Sequence, residues 1–264
     1  MDGSPATRSV ETRRWRVARG ASSANTASAE TPSAETPSAE TPCVRRPGRL
    51  VMLRHGESEW NATDRCTGWA DPPLSAVGEE QARQAGCALA GVLSPDAVFH
   101  TSVLERAVRT AQLVAEQLDV PTPRIACDWM LNERHVGQLE GLTKAEMLTR
   151  WHRSDVARWR HSEDARPPPL DGEDPRHPRF DPRYGGVPSW VLPTGETRRE
   201  AVSRALGYWH SAVEVDLRSG LDVVVVSHGS LLAGLHAYVG GATPRASGSW
   251  ANGEARLYPP GPAS

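Results

Sequence analysis

Two short apolar runs, far apart in the chain, each lead into a histidine. Residues 50–53 are followed by Arg54 and His55, and the four valines at residues 223–226 are followed, after one serine, by His228. Short apolar runs that end abruptly in polar residues are typical of buried parallel strands. Because open α/β sheets bind ligands outside the carboxyl ends of their strands, we expect both histidines at one ligand-binding edge.

Strand and helix patterns alternate along the rest of the chain. Apolar residues at helical spacing indicate amphipathic helices, the first with a cap near Ser75. The predicted helices cover residues 79–93, 104–118, 144–160 and about 196–217, the predicted strands cover 50–53, 96–100 and 223–226, and residues 121–142 are interpreted as irregular. This order predicts an α/β fold with three layers, a doubly wound and mostly parallel sheet flanked by helices. The proline-rich residues 166–193 are too long for a simple connection and are interpreted as a lid or binding loop.

The amino-terminal part of the chain has a different composition. Residues 28–42 repeat the pentapeptide Ser-Ala-Glu-Thr-Pro three times, and such a segment has too little apolar surface to offset the entropy of ordering it. We therefore predict a disordered arm over residues 1–48, a catalytic domain over 49–258 and a short flexible tail over 259–264. A transit peptide is the alternative interpretation of the arm, and it is disfavoured.

Composition excludes several classes of protein. The formal net charge of −2 leaves no basic excess that would indicate nucleic-acid binding. The apolar runs are far shorter than the roughly 18 residues that a membrane span needs. The four cysteines contain no C-x-x-C pair, which favours a reducing cytoplasm over a disulfide framework or a zinc site. We interpret the acidic residues 171–174 as a solvated loop and expect no metal site.

Several separated motifs resemble one known family. Residues 54–61 read Arg-His-Gly-Glu-Ser-Glu-Trp-Asn and are followed by Thr67, Gly68 and Trp69. This string resembles the histidine phosphatase superfamily. Residues 131–135 and the proline-rich run 167–184 resemble its cofactor-dependent phosphoglycerate mutase branch, and the likeness extends from residue 49 to about 240.

The resemblance implies an enzyme of glycolysis and gluconeogenesis that interconverts 3-phosphoglycerate and 2-phosphoglycerate. It implies a phosphohistidine enzyme, 2,3-bisphosphoglycerate as the phosphoryl primer and no metal. The expected partners are therefore small phosphorylated three-carbon acids, with neither nucleic acid nor membrane, and by analogy a second copy of the chain in a homo-oligomer.

The same resemblance assigns roles to individual residues. It makes His55 the phosphoryl acceptor and Glu133 the general acid and base, and it places Arg54, Arg106 and His228 around the transferred group. Catalysis of phosphoryl transfer depends mainly on positioning of the reactants and on hydrogen-bond donors directed at the phosphoryl oxygens. The arginines and histidines named above can supply both. The expected substrate-binding residues are Ser58, Asn61, Thr67, Gly68, Arg134, His135, Val136, Lys144, Arg160, His161, Gly229 and Ser230.

The departures from the mutase pattern cluster around substrate recognition. Val136 stands where the family has tyrosine, His161 replaces a second arginine, Ser230 replaces asparagine and Ala233 replaces a later arginine; the chain also stops soon after Tyr258. Lost contacts would let water compete for the phosphohistidine. Two alternatives to the mutase therefore stay open: a histidine-type phosphomonoester phosphatase with relaxed specificity, and an inactive relative that binds phosphorylated metabolites.

Overall fold

The computed structural model describes residues 48–120, 122–240 and 249–259. Its strands form one sheet in the order β3-β2-β4-β1-β5, in which β1 to β4 run parallel and β5 is antiparallel to β1. The strands are β1 (Leu50–Arg54), β2 (Val98–Thr101), β3 (Arg124–Cys127), β4 (Val223–Ser227) and β5 (Ala255–Tyr258). Except for residues 48 and 259, the predicted arm and tail lie outside the described residues.

Helices cover both faces of the sheet. They are α1 (Glu59–Ala62), α2 (Ala76–Leu89), α3 (Glu105–Gln117), α4 (Lys144–Arg150), α5 (Arg153–His161), α6 (Arg198–Tyr208), α7 (Glu214–Arg218) and α8 (Gly229–Gly240). Alternate residues of a strand point to opposite faces. Accordingly, Val51 and Leu53 of β1 pack in the core under α2 and α3, whereas Leu50 and Met52 pack with α6 and α8. The predicted three-layer α/β architecture is confirmed.

The sequence misplaced several elements. Strands β3 and β5 were not predicted, because both lie at edges of the sheet and carry mostly half-buried or exposed side chains without an apolar run. The predicted helix 144–160 is two helices, separated where Trp151 is extended and the side chain of His152 caps α5. By contrast, the predicted helix 196–217 is confirmed, because the backbone is helical from α6 to α7, with a π-helical stretch at Trp209–Val213 between them.

Local sequence explains how the helices α1 and α2 are capped at their N-termini. Ser75 accepts a hydrogen bond from the backbone N–H of Gly78, which confirms the predicted cap of α2. Ser58 and Asn61 form a reciprocal capping box at α1. Within the described ranges, no helix combines the length and the apolar character that crossing a membrane requires.

Candidate active site

The register of β1 and β4 brings the two histidines together. Arg54 lies opposite Ser227 in the parallel ladder, and the backbone N–H of His55 donates to the Ser227 carbonyl at 3.0 Å. One residue beyond each strand, the imidazoles of His55 and His228 are buried with their ring centroids 5.0 Å apart. The expectation that both histidines meet at one edge of the sheet is confirmed.

The hydrogen bonds of His55 fix its tautomer. Its Nδ1 lies 2.6 Å from the Gly56 carbonyl oxygen, and since a carbonyl can only accept, Nδ1 carries the proton. This leaves the lone pair on Nε2. Burial, and then the charges of Arg106 and Arg54, hold the pKa of His55 well below its usual range. The imidazole is therefore neutral near pH 7, which is the form in which a ring nitrogen can act as a nucleophile.

His228 has one committed and one uncommitted ring nitrogen. Its Nε2 lies 2.9 Å from the hydroxyl of Ser102, while its Nδ1 is buried and makes no hydrogen bond to any residue that the structure describes. Burial, together with the charges of Arg106 and His55, holds the pKa of His228 well below its usual range. A buried polar atom without a partner is costly unless a ligand satisfies it.

Two arginines supply fixed positive charge beside the histidines. Arg106, in the first turn of α3, is 1% exposed and donates to the carbonyls of Gly68 and Ala70 at 2.9 and 2.8 Å. Burial lowers its pKa to about 10, so the guanidinium remains charged at neutral pH. Arg54 donates to the Trp250 carbonyl at 2.5 Å. The Nε atoms of both arginines are buried and unpartnered among the described residues.

Glu133 lies at the amino-terminal end of α8. One of its carboxylate oxygens accepts from the backbone N–H of Ser230 at 3.2 Å and the other from Arg134 at 2.8 Å. A carboxylate is favoured at a helix N-terminus by the unpaired N–H groups there. The backbone carbonyl of Glu133 accepts from the indole N–H of Trp69 at 2.6 Å, which anchors the segment that carries this carboxylate.

A cavity of about 610 Å³ is lined by Arg54, His55, Arg106 and Glu133, whereas the fully buried His228 is not among the described residues that line it. Most predicted site residues line it: Arg54, His55, Asn61, Thr67, Gly68, Arg106, Glu133, Arg134, Val136, Arg160, His161, Gly229 and Ser230. Gly68 has a φ of 59°, and a Cβ there would lie 2.5 Å from Cγ2 of Val136, so this part of the wall requires glycine. Among the described residues, five arginines and three carboxylates line the cavity, a balance that suits an anionic ligand.

Three predicted substrate contacts do not line this cavity. Ser58 is fully buried in the α1 capping box. His135 packs against Trp69, with ring centroids 5.4 Å apart, and burial lowers its pKa to about 3. Lys144 is the exposed first residue of α4. Part of the proline-rich segment, interpreted from the sequence as a lid or binding loop, lines a second cavity of about 420 Å³.

Sequence reasoning missed residues that other elements bring to the site. Arg198, the first residue of α6, lines the large cavity. Arg204 lies beneath it, where it donates to the backbone carbonyls of the segment that carries Glu133. The side-chain amide of Asn252 donates to the carbonyls of His55 and Gly56. The capping signature at residues 197–200 marks where α6 begins. No sequence signal, however, distinguishes Arg198, Arg204 and Asn252 from polar residues that are exposed.

Comparison with known proteins identifies similar sequences. Residues 50–180 match the model of the histidine phosphatase superfamily (branch 1). A protein of Nitratidesulfovibrio vulgaris (strain Miyazaki F), named 2,3-bisphosphoglycerate-dependent phosphoglycerate mutase, is 44% identical over 75% of this chain and 79% of its own. A protein of Nitrosococcus oceani with the same name is 42% identical over 73% of this chain and 80% of its own.

Solved structures with the same fold include a phosphatase. The mycobacterial glucosyl-3-phosphoglycerate phosphatase, solved with vanadate, superposes with a TM-score of 0.58 at 26% identity, over 80% of this chain and 90% of that chain. YhfR of Bacillus stearothermophilus superposes with a TM-score of 0.61 at 24% identity, over 82% of this chain and 93% of that one. The second likeness concerns the fold alone.

Proposed function

The chain belongs to the histidine phosphatase superfamily, and from this we propose that it is a phosphoglycerate mutase of glycolysis and gluconeogenesis. It interconverts 3-phosphoglycerate and 2-phosphoglycerate in a 2,3-bisphosphoglycerate-dependent reaction. The observation that carries the proposal is the neutral His55, whose Nε2 lone pair is left free beside His228, the buried Arg106 and the half-buried Arg54. The substrates are small phosphorylated three-carbon acids.

In the proposed reaction, Nε2 of His55 attacks the phosphorus of the bound phosphomonoester. The N–P bond forms as the P–O bond to the substrate breaks, and the positive charge on the ring is shared through the Nδ1–H bond to Gly56. Arg54, Arg106 and the uncommitted Nδ1 of His228 donate to the phosphoryl oxygens as charge develops on them. These groups already lie beside His55, since the His228 ring is 5.0 Å from it and the charges of Arg106 and Arg54 lower its pKa, so little reorganisation is needed.

Glu133 moves the proton in this proposal. Its carboxyl group donates to the substrate oxygen as that oxygen leaves phosphorus, and its carboxylate accepts the proton of the hydroxyl that attacks in the return step. The Ser230 and Arg134 N–H groups hold both of its oxygens in place. Glu133 can serve both 2- and 3-phosphoglycerate because the two hydroxyl groups that exchange the phosphoryl group are on adjacent carbons.

The cavity suits 2,3-bisphosphoglycerate. When bound, this compound supplies the phosphoryl group that charges the enzyme. Buried Nε atoms of Arg54, Arg106 and Arg134, and Nδ1 of His228, have no partner among the described residues and would be satisfied by phosphate or carboxylate oxygens. Arg160 lines the same cavity and would hold a further anionic group.

A product assay tests the proposal. The purified chain, incubated with 3-phosphoglycerate and a trace of 2,3-bisphosphoglycerate, is expected to form 2-phosphoglycerate, and His55→Ala is expected to abolish the product. Phosphorus NMR separates the two isomers and inorganic phosphate in one spectrum. If the wild-type chain forms no more 2-phosphoglycerate than His55→Ala, the proposal is wrong.

The phosphatase is the second candidate, and one feature of the cavity favours it. Val136 lines the wall with a small apolar side chain where the mutase pattern has a tyrosine. The structural likeness to a phosphatase at 26% identity agrees with this candidate. The same NMR spectrum separates the two, because a phosphatase releases inorganic phosphate from unrelated monoesters and needs no primer, whereas a mutase yields isomer.

We also propose the cytoplasm as the place of action. Cys66, Cys87 and Cys127 are free thiols in the structure, and unpaired cysteines are the usual state in a reducing compartment. Self-association and the lack of a nucleic-acid partner stay predictions from the sequence.

A further inference from the structure

Arg198 lies on the wall of the large cavity without belonging to the residue set that the family resemblance implies. It is the first residue of α6, and its side chain is 25% exposed. One terminal nitrogen donates to the Arg160 carbonyl at 2.6 Å, and the other is 3.8 Å from the carboxylate of Glu163. Its Nε is buried and has no hydrogen-bond partner among the described residues. The guanidinium is thus held in place but incompletely satisfied.

The charges of the cavity fall into two groups. Arg54 and Arg106 act on the pKa of His55, whereas Arg198 acts on that of Arg134. Arg134 and Arg160 in turn both lie close enough to Cys66 to affect the pKa of its thiol. Glu133 interacts with Arg54, Arg106 and Arg134, which places it between the groups. Arg198 therefore belongs to the end of the cavity that Arg134, Arg160 and Glu163 line.

This end of the cavity lacks a cation that the family pattern supplies. His161 stands where the pattern has a second arginine, and an imidazole offers neither a permanent charge nor the planar fork of a guanidinium. Arg198 lines the same cavity as His161 and is tied to the backbone of the residue before it. Arg198 of α6 thus places a guanidinium near His161 of α5, which stands where the family pattern has an arginine.

We propose that Arg198 is a specificity-determining residue that binds the carboxylate of the phosphorylated three-carbon acid, in place of the arginine missing at position 161. The inference rests on the proposed function for the identity of the acid. A carboxylate and a guanidinium form a charge-assisted, two-pronged contact, and the neighbouring Arg134 and Arg160 add to the attraction. Phosphomonoesters without a carboxylate gain nothing from Arg198.

Binding to a chemically inactive background tests this role. In His55→Ala protein, calorimetry would compare 3-phosphoglycerate with glycerol 3-phosphate, in which a hydroxymethyl group replaces the carboxylate. Adding Arg198→Leu is expected to weaken 3-phosphoglycerate binding about tenfold, the value of one charge-assisted contact, and to change glycerol 3-phosphate binding less than about twofold. Arg199→Leu is the matched control, because the adjacent Arg199 is exposed and pairs with Asp164.

A second variant has the opposite expected sign, which a folding defect cannot imitate. Glu163 lines the cavity beside Arg198 and competes for its charge. Glu163→Gln is expected to tighten 3-phosphoglycerate binding about two- to threefold, again with little effect on glycerol 3-phosphate. Equal weakening of both ligands by Arg198→Leu, or no weakening of either, would overturn the inference.

The outcomes separate this inference from the proposed function. A chain that forms no 2-phosphoglycerate, but loses affinity for 3-phosphoglycerate selectively in Arg198→Leu, refutes the mutase and keeps Arg198 as the carboxylate-binding residue. A chain that forms 2-phosphoglycerate, but whose affinity does not depend on Arg198, refutes only the role of Arg198.

Discussion

Glu140 is the residue whose ionisation should dominate the pH dependence of the free energy of unfolding below and around neutral pH. Its carboxylate accepts from the N–H groups of Trp69 and Ala70, yet burial raises its pKa to about 7. Between the unfolded value of 4.5 and about 7, the folded chain holds a proton that the unfolded chain has lost, so Glu140 destabilises the fold as pH rises through this window. Glu140→Gln is expected to raise the free energy of unfolding at pH 8 by about 3 kcal/mol.

Urea unfolding at pH 5 and pH 8 measures this effect. The gain should be largely absent at pH 5, where Glu140 is already protonated in the folded chain. Glu80→Gln is the control, because the side chain of Glu80 is 59% exposed and removal of its charge should not raise the free energy of unfolding. The same gain at both pH values, or none at pH 8, would contradict this assignment.

Single residues also show what the sequence could predict about the site. His55 and His228 were predictable because strand patterns place them at neighbouring strand ends, and the family motifs identified Arg106 and Glu133. Arg198 was not predictable, since it and Arg199 are adjacent arginines in the first turn of one helix. Only the direction of the helix face decides which of the two reaches the cavity and which pairs with Asp164 at the surface.

Among the elements, α6 holds the segment that carries Glu133. Its Arg204 pairs with buried Glu196 at 2.8 Å, and it donates to the carbonyls of Trp129, Met130, Asn132 and Glu133. Arg204→Lys keeps the charge but cannot span these acceptors, so we expect a loss of about 2–4 kcal/mol in stability. We also expect kcat to fall about tenfold with a smaller change in KM, because Glu133 would lose its position rather than its charge.

Urea unfolding and steady-state kinetics on the same preparations measure both effects. Arg199→Lys provides the comparison, since it makes the same substitution on the exposed face of α6. Stability and kcat that match Arg199→Lys would show that Arg204 does not position Glu133. A rise in KM without a fall in kcat would point instead to a role in binding.

The elements that sequence patterns located were those with a strong apolar signal. Strands β1 and β4 are buried along nearly their whole length, and α2 and α3 present regular apolar stripes. The edge strands gave no such signal. The break between α4 and α5 was also hidden, because a histidine supplies the cap and tryptophans continue the apolar pattern across it.

On the scale of the whole molecule, the site depends on long-range order rather than on any local segment. Parallel pairing joins β1 to β4 across more than half of the chain, and the cavity wall draws residues from position 54 to position 250. Every described residue of the wall therefore lies within the predicted catalytic domain. The repeat-containing residues 28–42 precede the start of that predicted domain at residue 49.

Removal of residues 1–47 is therefore expected to leave catalysis intact. The truncated chain keeps β1, its register with β4 and every described cavity residue, so kcat/KM for 3-phosphoglycerate should stay within about twofold of the full chain, well under the tenfold that one lost charge-assisted contact would cost. Its midpoint of thermal unfolding should also be unchanged. Coupled assays and calorimetry on both chains measure this, and a loss of more than about fivefold in kcat/KM would show that the arm takes part in the site.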